Sequence, residues 1–247
     1  MLKNMMPDKN NRSLIFLPDA SLALARPKSG RVLSELVGDT LALALGKPLR
    51  KIGEYEWCEP DYRQILLWAE ALGLEPEEVI RRLLDRRTLH MPERDRTVFQ
   101  ETVFENGRIV KLNWDLNLLP IFNFEWIEGL EIDYLRLAFW QYDESARVPL
   151  KVSLPKLREL NCECATTELD LSGVPSLEKL WCSGKGLTSL QLSKLPRLKE
   201  LQCKFSQISE LDLSKLPTLT VLNCQANQLA VIDLSQVPLL RACYALC

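Results

Sequence analysis

Two rhythms of apolar residues divide the chain. Up to about residue 96 they recur at helical spacing, and from Pro155 onward they recur in a fixed frame of 20 or 21 residues. In the first part Val32, Leu33, Leu36, Val37, Thr40, Leu41 and Ala44 mark one face of a helix that Gly46 and Pro48 close. A second helix is predicted over Pro60–Leu72. A third is predicted over Pro76–Arg87, with Val79, Ile80, Leu83 and Leu84 as its buried side. An alternating run, Thr97–Phe104, then meets Asn106-Gly107 and a second run, Arg108–Trp114; Asn-Gly between alternating runs is a hairpin signal. Arg108–Trp114 reads as the opening strand of the repeat region, and Ile132–Phe139 as a degenerate rung behind it.

The repeat is regular. Its copies start at Pro155, Pro175, Pro196, Pro217 and Pro238, and Leu160, Leu180, Leu201 and Leu222 share one slot that Cys243 fills in the last, partial copy. Within Leu-x-x-Leu-x-Cys the last two apolar side chains lie two residues apart, on one face of a short strand. One copy cannot bury its own leucines, so neighbouring copies must stack. The downstream Leu-Asp-Leu-Ser segments (Leu169–Ser172, Leu211–Ser214, and Ile232–Ser235 in variant form) alternate in the same way and predict a second, convex stack. Each proline opens the turn back to the first strand, where a fixed φ helps and the missing N–H costs little. The fold expected is α+β: a leucine-rich solenoid of stacked parallel strands behind a helical N-terminal cap and a β-hairpin. The boundaries are 1–96 for the cap and 97–247 for the solenoid, the latter split into hairpin and degenerate rungs (97–154) and regular repeats (155–247).

The pattern Leu-x-x-Leu-x-Cys-x-x-Asn-x-Leu-x-x-Leu-Asp-Leu-Ser resembles the bacterial cysteine-ladder leucine-rich repeats, the internalin-J-like class, over about residues 155–247. The resemblance implies a binding scaffold. The asparagine of the pattern stands only at Asn227; Lys185 and Ser206 hold its place in the two copies before. Of eight cysteines, Cys162, Cys182, Cys203 and Cys224 occupy one slot, which predicts a buried column of free thiols and a reducing, cytoplasmic compartment. Partial disulfides and a metal site built on Cys162-x-Cys164 are the alternatives.

Charge and targeting narrow the function. Lys and Arg total 31 against 33 Asp and Glu, which disfavours a chain that coats nucleic acid. Lys3, Lys9 and Arg12 precede the apolar Leu14–Leu17, but Pro18-Asp19 breaks the continuous core that a secretory signal needs. Ala69, Gly73 and Val79 stand at the offsets of a helix-turn-helix, so a nucleic-acid-binding regulator using residues 61–87 is the competing reading. Glu75, Glu77 and Glu78 at the front of that second helix would repel phosphate, and Arg81, Arg82, Arg86, Arg87, Arg94 and Arg96 would have to form its basic patch.

No catalytic constellation is legible. Gly46-Lys47 is followed by Pro48 rather than Ser or Thr, and Cys58 and His90 lack an orienting third group. We therefore expect no catalytic residues, metal or cofactor, no membrane insertion, and a protein partner whose identity the sequence does not name. The outward columns of the concave sheet are the expected contact face: Lys179 and Glu200 in one column, Asn161, Trp181, Gln202 and Asn223 in the next, Lys204 in a third with Phe205 at its margin. Trp181 and Phe205 are expected to stand exposed, because large aromatics are enriched at interface hot spots; the alternative is that Trp181 folds over its neighbours or packs on Tyr134 or Trp140 of the degenerate rung. The final copy carries no polar cap, so the expectation is either assembly, with another protein or copy covering the C-terminal end of the solenoid, or a natural chain that continues past Cys247.

Overall fold

The computed structural model describes residues 49–85, 101–115, 119, 124–138, 150–163, 167–184 and 186–245. The helix expected over Val32–Ala44 lies outside them, as do His90 and Arg86, Arg87, Arg94 and Arg96. The described part of the cap begins with an antiparallel pair, β1 (Arg50–Ile52) and β2 (Tyr55–Trp57), turned at Gly53. Helix α1 (Glu59–Leu72) follows, with Pro60 in its first turn and acidic Glu59 and Asp61 at its positive end. It stops where Gly73 takes φ 63°, and the Leu74 N–H reaches back 2.9 Å to the Ala69 carbonyl. Helix α2 spans Pro76–Leu83, ending short of the expected Arg87; the Asp85 N–H tightens its end by bonding the Arg82 carbonyl, three residues back. Val79 and Ile80 are buried, so α2 lays its apolar stripe inward.

The hairpin is present as β3 (Val103–Glu105) and β4 (Arg108–Asp115). Asn106 and Gly107 both take left-handed φ, 51° and 75°, the geometry that suits the twist of a two-residue loop. Gly107 is fixed twice over. A Cβ there would sit 2.9 Å from the Cys58 nitrogen, and the Gly107 carbonyl accepts the Cys58 N–H at 2.9 Å, so hairpin and cap touch backbone to backbone.

Beyond β4 the strands are β5 (Tyr134–Ala138), β6 (Leu150–Ser153), β7 (Glu159–Glu163), β8 (Leu169–Gly173), β9 (Lys179–Trp181), β10 (Glu200–Gln202), β11 (Val221–Asn223) and β12 (Ala242–Tyr244). Eight form one sheet in the order β3-β4-β5-β7-β9-β10-β11-β12, parallel from β4 onward. A single column crosses seven strands in register: Leu112, Leu135, Leu160, Leu180, Leu201, Leu222 and Cys243. Its six leucines are fully buried. Each is worth about 1.5–3 kcal/mol when removed from water, a gain available only because the next rung covers it. The prolines open β-turns as expected: Leu157, Leu177, Leu198, Leu219 and Leu240 each donate an N–H to the residue preceding the proline, at 3.0 to 3.1 Å.

The convex stack departs from expectation. Among the described residues only β6 and β8 pair there; Leu211–Ser214 and Ile232–Ser235 form no strand. The difference lies at Gly173, where a Cβ would meet the Val152 carbonyl oxygen at 2.6 Å and the Ser153 Cα at 2.7 Å. Lys194, Lys215 and Gln236 fill that slot in later copies and cannot approach so closely. An Asx turn recurs whether or not the strand forms: the Ser172, Ser214 and Ser235 N–H groups donate to Asp170, Asp212 and Asp233, each at 2.9 Å. The recurrent aspartates are turn residues, each held below the ordinary carboxyl range by the serine that donates to it.

Cap and solenoid share one apolar core. Ile65, Trp68, Val79 and Ile80 join Trp114 and Leu112, and the Trp68 and Trp114 rings meet edge to face with centroids 5.0 Å apart.

Candidate functional site

Alternation along the strands fixes two outward columns on the concave face. One runs Lys111, Tyr134, Glu159, Lys179, Glu200, Val221 and Ala242; the other runs Asn113, Arg136, Asn161, Trp181, Gln202, Asn223 and Tyr244. The columns are internally stitched. Lys179 Nζ lies 2.9 Å from Glu159 Oε1, Gln202 Nε2 donates to Glu200 Oε1 at 2.6 Å, and Arg136 Nη1 donates to Asn113 Oδ1 at 3.1 Å.

Two expected contact residues are not exposed. Trp181 retains 9% of its surface and Asn161 only 1%. Asn161 is hemmed between Arg136 and Trp181 on strands one sheet spacing away, and Lys179 Nζ lies over the Trp181 ring at 5.9 Å. Neither the Asn161 amide nor Trp181 Nε1 has a hydrogen-bond partner among the described residues. Gln202, Asn223, Lys179 and Glu200 are part-exposed.

Phe205 is different. Its side chain is 60% exposed, its φ is 57°, and Lys204 Nζ stands 5.7 Å from the ring centroid. A left-handed backbone costs a non-glycine residue roughly 1–2 kcal/mol. The turn enforces it here, with the Phe205 N–H donating to the Gln225 carbonyl at 3.0 Å. The same slot holds Gly184 one rung earlier and Ala226 one rung later. The large aromatic is thus a departure from the local pattern and is not needed to form the turn.

The rungs beneath are held by small polar devices. Asn227 donates from Nδ2 to the Cys203 and Cys224 carbonyls at 2.7 and 3.0 Å and accepts the Ile208 N–H at 3.1 Å. Ser206 does part of that work one rung earlier, accepting the Gly184 N–H at 3.3 Å. Cys162, Cys182, Cys203 and Cys224 are all buried and none is in a disulfide, and burial beside Cys224 pushes the Cys203 thiol up to about 12. No disulfide joins these four thiols, and no group of three or more metal-ligating side chains occurs among the described residues; Cys164, on which the metal alternative rests, lies outside them.

Among solved structures, the chain is similar to the functional domain of InlJ from Listeria monocytogenes, described as including a cysteine ladder. The two are 25% identical, the match covers 54% of this chain and 34% of that one, and the TM-score is 0.40. No family model and no curated protein matches the chain.

The cap holds a polar cluster that sequence reasoning missed. Asp61 is fully buried; its Oδ2 lies 2.5 Å from Arg108 Nε and accepts the Cys58 Sγ–H at 2.8 Å. Burial pushes the Asp61 carboxyl above its usual range, against the pull of Arg108. Burial also raises the Cys58 thiol to about 12, so it is a donor in this cluster and no nucleophile at neutral pH. No sequence signal marks the pair, because Asp61 reads as a residue complementing the helix dipole and Arg108 as a hairpin surface cation.

The helix-turn-helix offsets are met by packing. Ala69 and Val79 are buried and Gly73 makes the left-handed turn between them. The two arginines in the described part of the expected basic patch are both spent on Glu78: Arg81 by two bonds of 2.7 and 2.6 Å, Arg82 by one of 2.6 Å. These two guanidiniums pull the Glu78 carboxyl down to about 2. No described helix is long and apolar enough to cross a membrane.

Proposed function

We propose that the chain is a noncatalytic protein-recognition module that holds an extended polypeptide across the concave sheet. A solenoid of stacked parallel strands is a fold suited to protein interaction in general, and the observation that carries the reading is Phe205. An aromatic projected 60% into solvent from a left-handed turn, where its neighbours use Gly and Ala, has no role in packing the rung. Lys204 beside it has no ion pair with a described carboxylate, so the bound segment presents an apolar side chain to Phe205 and a carboxylate to Lys204. Lys179, Glu200, Gln202 and Asn223 line its path, while Trp181 and Asn161 support the floor. The column of buried, unbridged thiols supports a reducing compartment.

A displayed library of random peptides selected against the full chain tests the proposal. Enriched acidic-apolar sequences should lose binding at least tenfold on Phe205→Ala and several-fold on Lys204→Ala, and keep it on Lys215→Ala, a substitution in the convex turn. Peptides indifferent to Phe205 and Lys204 would remove the concave rim as the site.

A further inference from the structure

A groove of about 700 Å³ lies in the cap, between the β1–β2 turn and helix α2. That volume is within the range of ligand-binding clefts. Its helical wall is one face of α2 and its end, where Glu77, Ile80, Arg81 and Leu84 follow at i, i+3, i+4 and i+7. Ile52 and Ile80 at the bottom are buried, Tyr55 and Leu84 are half-buried, and Glu54 and Glu77 are exposed. The groove is thus apolar below and open to solvent along both walls. The walls meet at one end. A Cβ on Gly53, where φ is 58°, would come within 3.3 Å of Glu77 Cγ, so the hairpin turn rests against the first turn of α2. Glu54, the next residue of the turn, brings a second carboxylate to the end where Glu77 stands. From there the groove runs over Ile80 toward Leu84.

The charges of the cap leave this end uncompensated. Every cation between residues 49 and 85 is committed to another carboxylate. Arg50 and Arg63 pair with Glu59 at 3.0 and 2.8 Å, Lys51 with Glu56 at 3.4 Å, and Arg81 and Arg82 with Glu78 at 2.6 Å each. Glu54 and Glu77 have no ion pair with a described cation. The dipole of α2 accounts for an acid at Glu77 but not for a second one brought to it from the hairpin. Two such carboxylates at the mouth of an apolar trough attract a cation and repel an anion. The apolar run Val32–Ala44 of this chain carries only Glu35 and Asp39 as charges, the wrong sign for this rim.

We propose that this groove docks a basic-apolar segment of another protein. An arginine or lysine of the segment sits at Glu54 and Glu77, and a large apolar side chain beside it lies over Ile80 and Leu84. The stem of a long cationic side chain is itself apolar, so it can rest on the Tyr55 ring while its head reaches the rim. Exposed walls on both sides suit side chains presented from a chain lying across the groove, where an enclosed pocket would suit a small molecule. The charge preference is opposite to that of Lys204 and Phe205 on the solenoid, and this site does not depend on whether the concave rim binds peptide.

A displayed library of random peptides, selected against the full chain carrying Phe205→Ala, tests the groove apart from the rim. Selected peptides should pair Arg or Lys with a large apolar residue. Their affinity, read by fluorescence anisotropy, should fall at least tenfold for Glu54→Lys with Glu77→Lys. Glu54→Gln with Glu77→Gln should weaken it several-fold with an unchanged circular dichroism spectrum. Replacing the cation of a selected peptide by glutamate should restore binding to the charge-reversed chain, an exchange that a damaged cap would not produce. Selected peptides that lack a cation, peptides indifferent to the reversal, or octylamine competing as well as the selected peptide would each overturn the proposal. So would tighter binding when Arg86, Arg87, Arg94 and Arg96 are all changed to glutamine, because the occupant would then be a segment of this chain.

Discussion

Phe205 and Ala226 occupy the same slot of consecutive rungs and share a left-handed backbone, φ 57° and 54°. Ala226 shows that the turn closes without a large side chain. Phe205→Ala should therefore leave the unfolding free energy within about 0.5 kcal/mol of wild type, as expected of an exposed position. The same substitution should cost about 2 kcal/mol or more of binding to a selected peptide if Phe205 is a hot spot. Urea denaturation and calorimetric titration on one preparation read both numbers.

Trp181 behaves in the opposite way. At 9% exposure, between Asn161 and Gln202, it is part of the rung. Trp181→Ala should destabilise the chain by about 3–5 kcal/mol, the range for truncating a buried aromatic. Any loss of binding in this variant has to be read against its shifted denaturation midpoint, so Phe205→Ala is the cleaner probe of the concave face.

The thiol column makes a chemical prediction. Cys58, Cys162, Cys182, Cys203 and Cys224 are buried, and Cys203 titrates near 12. In the native chain these thiols should resist a disulfide exchange reagent that labels exposed Cys243 at once, and all should react in denaturant. Cys203→Ser places a hydroxyl where no water reaches, at a cost of about 1–3 kcal/mol unless it finds a partner. Rapid labelling of Cys203 under native conditions would contradict the packed ladder.

What the sequence made legible was whatever repeats. Leu160, Leu180, Leu201 and Leu222 were placed in one column by spacing alone, because a strand's period of two and a fixed repeat leave no freedom of register. The Asn106-Gly107 hairpin and the proline turns were readable for a similar reason, since a short turn has few backbone solutions. The site was less legible. Nothing in the repeat distinguishes an outward tryptophan that lies down on its neighbours from one that stands up, and Trp181 and Phe205 looked alike until burial separated them. The convex strand failed at one atom, the Cβ that Gly173 lacks and Lys194 has. Asp61 and Arg108 were invisible because 46 residues of chain lie between them and their contact is made by tertiary packing.

That contact predicts a large effect. Asp61 is fully buried and Arg108 keeps 16% of its side-chain surface, so the pair sits between helix α1 and the hairpin with little water to screen it. Asp61→Asn leaves the guanidinium facing a neutral amide, and breaking a buried pair in this way costs about 3–5 kcal/mol. Removing both charges, as Asp61→Asn with Arg108→Leu, should recover much of that loss, because a buried pair replaced by apolar surface is close to neutral. Equal destabilisation of the single and double variants in guanidinium melts would show that the charges are not what joins cap to solenoid.

Glu178 links three rungs, accepting Arg158 Nε and Nη2 at Oε1 (3.0 and 2.8 Å) and Lys199 Nζ at Oε2 (2.7 Å). These bonds hold its carboxyl below the ordinary glutamate range, the lysine contributing most. A carboxyl whose folded pKa lies below its unfolded value binds fewer protons in the native state. Its stabilisation is fully present above the unfolded pKa of about 4.3 and disappears as pH falls through the lower, folded one. Glu178→Gln should thus cost up to about 1 kcal/mol at neutral pH, the ceiling for a mostly solvent-screened ion pair. The cost should shrink toward zero in strong acid, where the wild-type carboxyl is protonated too, and also in molar salt, where the pair is screened. Urea midpoints of the two proteins followed from neutral pH downward should converge below that window. Curves that stay parallel across the whole range would mean that Glu178 stabilises the rungs by packing, with its charge playing no part.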